Sequence, residues 1–290
     1  MDIIFGASGF IGSNLFNYIK SRHPKSEVIG ISRRSQNKKN LISLDLKCNK
    51  KLLSLNFNNI DKVFICAGDA RIIFNNKIEE KIQIENNTLI IKNIIKFCVA
   101  KQVKKIIFIS SSAVYGKFNK YPLSENQILK PTSAMGKIKK NNEIQLKKIA
   151  QKFKIKILIL RLFTSYGNLM RKDQFIYEAI KKLKSKSKKI IFWNPNTYRN
   201  LIFIDDLVKI IYILSNKNKK SYEILNVASK QSLTIEKIIQ IILNTLKLKK
   251  VIIFKHNLNN FSHFVDTSRQ DGIIRAFKFT KLYNGLKKML

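Results

Sequence analysis

Gly6, Gly9 and Gly12 follow the apolar run Ile3-Ile4-Phe5 and precede a helical pattern carried by Leu15, Phe16 and Ile19. Glycine at the first position permits a tight turn, at the second lets a phosphate approach the backbone, and at the third lets helix and strand pack closely. The helix start adds unpaired N–H groups and the positive end of a dipole. The backbone of Gly6, Ser8, Gly9, Phe10, Ile11 and Gly12 is therefore the candidate cradle for the pyrophosphate of a dinucleotide. About 20 residues past the last glycine, such sites usually carry a carboxylate for the ribose hydroxyls. Here the chain reads Ser32-Arg33-Arg34. Guanidinium groups suit a 2′-phosphate, so Arg33 and Arg34 favour NADP over NAD. Asp45 and Leu46, at the end of the third strand candidate, are placed to hold the adenine amino group.

These residues need a frame that brings strand ends together. Strands are expected at Ile3–Phe5, Val28–Ser32, Leu41–Leu44, Lys62–Cys66, Lys105–Ser110 and Lys156–Arg161. Helices are expected near Ser13–Arg22, Lys50–Phe57, Asn86–Lys101 and Met135–Phe153. Short β-rich runs alternating with helices predict an α/β fold with a doubly wound parallel sheet. Right-handed crossovers then put all strand C-termini on one ligand-binding edge. After Gly167 the rhythm breaks. Helices are expected at Met170–Lys184, Asp205–Ser215 and Thr234–Leu246, and a strand at Ile190–Trp193. Residues 1–166 form the expected dinucleotide-binding domain, with segments returning near 200–230. Residues 167–290 form mainly a smaller substrate-binding domain.

The 290 residues are 45% hydrophobic and 26% charged, enough for a sizeable core. A strand beginning at residue 2 leaves no room for a leader, and no apolar run reaches the roughly 18 residues that span a bilayer. A cytoplasmic protein without a membrane span is expected. Cys48, Cys66 and Cys98 are odd in number and widely spaced, and His23, His256 and His263 lie far from them in sequence. They predict core thiols and no metal site. The net charge of +38 comes from 47 lysines and 9 arginines. Lysine spread along a chain also rich in Ile and Asn reads as A/T-biased coding rather than a nucleic-acid surface, where arginine and aromatics concentrate. Nucleic acid is not the expected partner. A positive field would still attract a phosphate-bearing substrate.

At 106–116 the chain reads Ile-Ile-Phe-Ile-Ser-Ser-Ser-Ala-Val-Tyr-Gly. With the glycine triplet this resembles the extended short-chain dehydrogenase/reductases, the NAD(P)-dependent nucleotide-sugar epimerase/dehydratase family. Cys66-Ala67-Gly68, Asn87, Arg161-Leu162-Phe163-Thr164-Ser165-Tyr166-Gly167, Arg199 to Leu207, Asn226-Val227 and Asp266-Thr267-Ser268-Arg269 are similar to further family landmarks, in order. The resemblance covers essentially the whole chain. It implies a Rossmann fold with a smaller C-terminal substrate-binding domain and Ala67 beside the cofactor. It implies a nucleotide-diphosphate sugar as substrate, contacted by Ser111, Ser112, Thr164, Arg199 and Arg269. It also implies a homodimer through the two long helices. Leu89, Ile90, Ile94 and Phe97 suit either that contact or packing on the sheet.

In this family a Ser/Thr hydroxyl orients the sugar oxygen, a tyrosine exchanges its proton, and a lysine four residues on binds the nicotinamide ribose. Ser111 matches the hydroxyl, Lys139 the lysine and Glu143 a helix glutamate. Met135 occupies the tyrosine position, and a thioether exchanges no proton. Ser112, Tyr115 or a water could relay it instead. Relatives with methionine here use Asp and Lys just after the Ser/Thr, where this chain has Ser112 and Ala113. Ser112 and Ala113 also stand where 4,6-dehydratases resembling this family carry an Asp-Glu acid and base, and NADP suits net redox better than epimerisation, so the resemblance implies a keto-sugar nucleotide reductase in surface polysaccharide precursor synthesis. Its alternatives are a 4-epimerase and a catalytically impaired NADP-binding protein. Phe192 and Trp193 are expected in the core rather than stacked on a base.

Overall fold

The computed structural model describes all residues except 35–38, 72, 73, 75, 117–120, 258–261 and 263. His263 therefore lies outside the described residues. The first part of the chain runs β1 (Asp2–Phe5), α1 (Phe10–Arg22), β2 (Val28–Ser32), β3 (Leu41–Ser43), α2 (Asn49–Leu53), β4 (Lys62–Ile65), α3 (Lys77–Ala100) and β5 (Lys105–Ser111). A 3-10 turn at Ser112–Val114 leads to α4 (Ala134–Phe153), β6 (Lys156–Leu162), β7 (Thr164–Tyr166) and α5 (Phe175–Leu183). Then come β8 (Lys189–Trp193), β9 (Tyr198–Phe203), α6 (Ile204–Lys217), β10 (Tyr222–Val227), β11 (Ser232–Thr234), α7 (Ile235–Leu246), β12 (Val251–Lys255), α8 (Ser268–Ile274) and α9 (Leu282–Met289).

Seven strands pair in the order β10-β6-β5-β4-β1-β2-β3, all parallel. The chain reverses direction across the sheet between β1 and β4, the crevice where doubly wound folds bind ligands. Period-two alternation builds a core on each face. Ile3, Phe5, Val63, Ile65, Ile106 and Phe108 join Ile91, Ile94 and Phe97 of α3. Ile4, Phe64, Ile107 and Leu158 join Leu15, Phe16 and Ile19 of α1 and Ile210 and Ile211 of α6. Near-continuous apolar strands are what a sheet covered on both faces requires.

Helix α3 starts nine residues before the expected Asn86. Asn76 caps it by accepting from the Glu79 N–H at 2.9 Å, and Glu79 and Glu80 sit in the first turn. That start is a recognisable N-cap signature. Strand β10 joins the main sheet beside β6. Smaller sheets, β11-β9-β7 and β12-β8, carry the rest of the C-terminal half. Among the described residues no helix is long and apolar enough to cross a membrane, and no group of His, Cys, Asp and Glu is arranged to hold a metal ion.

Candidate active site

The turn after β1 is shaped by its glycines. Gly6 has φ +87°, and a Cβ there would sit 2.6 Å from the Ala67 nitrogen. A Cβ on Gly12 would collide with the Gly6 carbonyl. Gly9 caps α1 without a side-chain acceptor, and no acidic residue stands in the first turn. The helix start is thus an uncompensated positive end beside a bare backbone, which fits a pyrophosphate. Ser8 and Gly9 are exposed and Phe10 is half-buried at this turn.

Beside it lies a cavity of about 410 Å³ at the C-terminal edge of the main sheet. Of the residues singled out in the sequence, Ile11, Ala67, Ser111, Ser112, Met135, Lys139 and Thr164 line it. The Ser111 Oγ accepts from the Ala113 N–H at 3.1 Å, which leaves its own O–H to donate into the cavity. Lys139 stands four residues after Met135 on α4, the spacing that shares a helix face. Its Nζ donates to the Ile109 carbonyl at 2.7 Å and lies 4.7 Å from the Phe108 ring centre. Burial lowers the Lys139 pKa to about 8 against the pull of Glu143. Burial also pushes the neighbouring Cys66 thiol up to about 12, so it stays neutral.

Beyond the cavity, Arg33 and Arg34 are exposed after β2, next to the edge where β1 ends. The Ser43 Oγ donates to the Arg33 carbonyl at 3.2 Å and the Ser32 Oγ to the Arg34 carbonyl at 3.2 Å. Both guanidinium groups lack an ion-pair partner among the described residues. The exposed Asp45 carboxylate accepts from the Lys47 N–H at 3.0 Å, which is a turn cap, while Leu46 is buried in the core.

Two expected substrate arginines do not reach the cavity wall. Arg199 lies within β9, and its Nη1 donates to the Tyr198 carbonyl at 3.1 Å. Arg269 ion-pairs with the buried Glu223, near the N-terminal end of β10 and away from the ligand edge. Glu223 also binds Lys220 and Asn218, which holds Arg269 to a structural cluster. Tyr115 is excluded as a proton relay. It is fully buried, its hydroxyl donating to Asn226 Oδ1 at 2.6 Å and accepting from Arg161 Nη1 at 3.1 Å. Of the four apolar residues weighed for a helix-pair contact, only Leu89 is exposed; Ile94 and Phe97 are buried against the sheet.

The sequence reading overlooked Arg171, Asp173 and Gln174, which enter the cavity wall just before α5. Arg171 grips Asp173 bidentately, Nε to Oδ1 at 2.8 Å and Nη2 to Oδ2 at 2.6 Å. The Gln174 Oε1 is buried with no partner among the described residues. The scarcity of arginine that drew attention to Arg33 and Arg34 would equally have flagged Arg171.

A glycine cradle on a doubly wound sheet, with a serine and a lysine facing one cavity at its C-terminal edge, is the arrangement of the dinucleotide-binding doubly wound folds. The chain belongs to the NAD dependent epimerase/dehydratase family, whose model matches residues 3–228. It is 27% identical over 304 residues to a Bacillus subtilis protein named as an uncharacterized UDP-glucose epimerase, covering 98% of this chain and 95% of that one. It is 33% identical over 156 residues to the dTDP-4-dehydro-6-deoxyglucose reductase of Escherichia coli, covering 52% of this chain and 49% of that one. Among solved structures, a UDP-glucuronic acid 4-epimerase of Bacillus cereus in complex with UDP-glucuronic acid and NAD matches with a TM-score of 0.85. It is 24% identical, covering 99% of this chain and 97% of that one.

Proposed function

We propose that the chain is an NADP(H)-dependent oxidoreductase of nucleotide-diphosphate sugars, acting in the cytoplasm to reduce a keto-sugar for surface polysaccharide precursors. The observation that carries the cofactor choice is the exposed Arg33–Arg34 pair at the ribose end of the cradle, where a carboxylate would repel a 2′-phosphate. Exchangeable NADPH suits net reduction, whereas an epimerase retains its cofactor through a cycle. A bound nicotinamide would supply hydride exchange at the sugar carbon. The Ser111 O–H donates to the sugar oxygen. The Lys139 Nζ, anchored on the Ile109 carbonyl, keeps two N–H groups for the nicotinamide ribose and for a proton passed through Ser111, Ser112 or water. Arg171, paired with Asp173 in the cavity wall, is a candidate to meet a sugar substituent or the diphosphate. Arg199, half-buried in β9, is a more distant candidate for the nucleotide.

Two other readings have specific support. The names of the relatives favour a 4-epimerase. Met135 favours a cofactor-binding protein with impaired catalysis. Incubating a panel of nucleotide sugars, 4-keto-6-deoxy forms included, with the protein and NADPH or NADP separates them by mass spectrometry and chromatography. Gain of two hydrogens supports reduction, and a product of unchanged mass supports epimerisation. No product from protein that binds NADPH supports impairment. The assembly we propose is a homodimer through α3 and α4, which expose Ile78, Ile82, Leu89 and Ile144; sedimentation at a molecular mass of one chain would overturn it.

A further inference from the structure

The two-stranded ribbon of β8 and β12 has one covered face and one bare face. Ile190 and Phe192 of β8, with Ile252 and Phe254 of β12, pack into the core beneath. The alternate side chains Ile191, Trp193, Val251 and Ile253 point away and are 41%, 47%, 56% and 37% exposed. The parallel register sets Ile253 beside Ile191, Val251 beside Lys189 and Lys255 beside Trp193, so these side chains form one patch with lysine at both ends. The Lys255 Nζ lies 6.0 Å from the Trp193 ring centre. Parallel pairs are ordinarily buried on both faces, and an open face ordinarily turns polar. This one carries three aliphatic side chains and the only tryptophan of the protein.

The flanking segments are rich in lysine, with Glu236, whose N–H donates to the Pro195 carbonyl at 3.1 Å, as a nearby carboxylate. Residues 179–204 and 237–265, which contain both strands, hold 11 lysines and no Asp or Glu. Lys184, Lys186, Lys188, Lys189, Lys249 and Lys255 are all exposed.

We propose that this face docks on an anionic lipid bilayer, with Trp193 and its aliphatic neighbours at the headgroup boundary and the lysines over the lipid phosphates. Indole groups partition to that boundary, and basic residues beside an apolar patch strengthen attachment to anionic leaflets. A second copy of this chain would set lysine against lysine across the contact. A single-stranded nucleic acid uses several stacking platforms and favours arginine, and the patch offers one indole among aliphatics. The docking is independent of the reaction in the cavity.

Because Trp193 is the sole tryptophan, indole fluorescence reports this patch alone. The full chain is mixed with phosphatidylglycerol–phosphatidylcholine vesicles and with phosphatidylcholine vesicles. On the anionic vesicles the emission shifts to the blue, lipids brominated on the acyl chain quench it, and high salt reverses both effects. Ile191→Ser with Val251→Ser weakens co-sedimentation about tenfold or more, and Lys189→Glu with Lys255→Glu does so too. These side chains are exposed, and circular dichroism checks that the variants fold. Absent sedimentation overturns the proposal. So does sedimentation with Trp193 unquenched, which indicates adsorption through another basic face. A shift that follows protein concentration without vesicles assigns the face to a second copy, and a shift produced only by single-stranded RNA assigns it to nucleic acid; each also overturns the proposal.

Discussion

Ser110 and Ser111 are neighbours on β5, yet they serve two polar regions of opposite character. The Ser110 Oγ donates to Glu143 Oε1 at 2.5 Å, and Glu143 is gripped by Arg161, with Nη2 to Oε2 at 2.8 Å. Arg161 continues to the Tyr115 hydroxyl and the Glu125 carbonyl, both at 3.1 Å, and Tyr115 continues to Asn226. Every member is buried and partnered. Ser111 and Lys139 are each satisfied on one side only and otherwise face the cavity. One turn of α4 separates Lys139 from Glu143, so the same two elements carry both regions. A closed network in low dielectric fixes geometry, and an open one leaves hydrogen-bonding capacity for a ligand.

The strongest test of the contrast is Glu143→Gln. The amide still accepts from Ser110 but leaves the Arg161 charge without its buried partner, which costs about 3–5 kcal/mol. The denaturant midpoint should fall accordingly, while the folded fraction binds NADPH with little change. A loss below about 1 kcal/mol would show that Arg161 finds water, and the closed network would then not be closed.

On the open side the largest effect is expected from Met135→Tyr. A phenol placed beside Ser111 and Lys139 supplies the missing proton donor, and general acid–base groups contribute about 10²- to 10⁴-fold. Turnover of the sugar identified by mass spectrometry should rise by about a hundredfold or more, with thermal stability nearly constant. Unchanged turnover, from a variant that binds NADPH normally, would mean that Ser111, Ser112 and water already carry the proton.

The contrast also separates what was legible in the sequence from what was not. Strands β1 to β6 and the glycine turn were legible because apolar runs and glycine chemistry are local. Strand β10 falls in the segment near 200–230 expected to return to the first domain, but its partner, β6 through Tyr222↔Ile157 and onward, lies more than 60 residues away in the chain and leaves no local mark. Arg269 stands in the right order along the sequence, but order does not say which way a side chain turns, and the buried Glu223 carboxylate captures it. Trp193 was expected in the core. Its parity on β8 places Ile190 and Phe192 inside and Trp193 outside, and that parity is set by which face of the ribbon packs on the core, which a run of four apolar residues does not reveal. Tyr115 sits in a catalytic-looking run, and only the buried Asn226 contact shows that its hydroxyl is committed.

A smaller effect sharpens the edge of the open region. Replacing Arg33 and Arg34 by alanine removes charge-assisted bonds to a 2′-phosphate and should weaken NADPH about ten- to a hundredfold, with NADH affinity unchanged. Titration calorimetry with both nucleotides reads the difference. Equal weakening of both would assign the arginines to general attraction of anions.

The smallest effect is a slope of stability against pH. Burial lowers both Lys139 and Lys105 to about 8 from the ordinary value of 10.5. Lys139 belongs to the open cavity. Lys105, at the other end of β5, is closed off by the Ser215 and Asn218 carbonyls at 2.7 and 2.6 Å. Below about pH 8 both lysines are protonated in folded and unfolded chains, and the full cost of burying the charge is present. Between about 8 and 10.5 the unfolded chain binds more protons, so stability relative to the unfolded chain gains from these lysines as pH rises. Lys139→Met should remove part of that gain, and Lys105→Met the rest. If Lys139→Met leaves the slope intact, cavity water solvates the ammonium and Lys105 alone carries the effect. Turnover that uses the protonated Lys139 should decline as pH passes about 8, and Lys139→Arg, which stays protonated, should move that decline to higher pH.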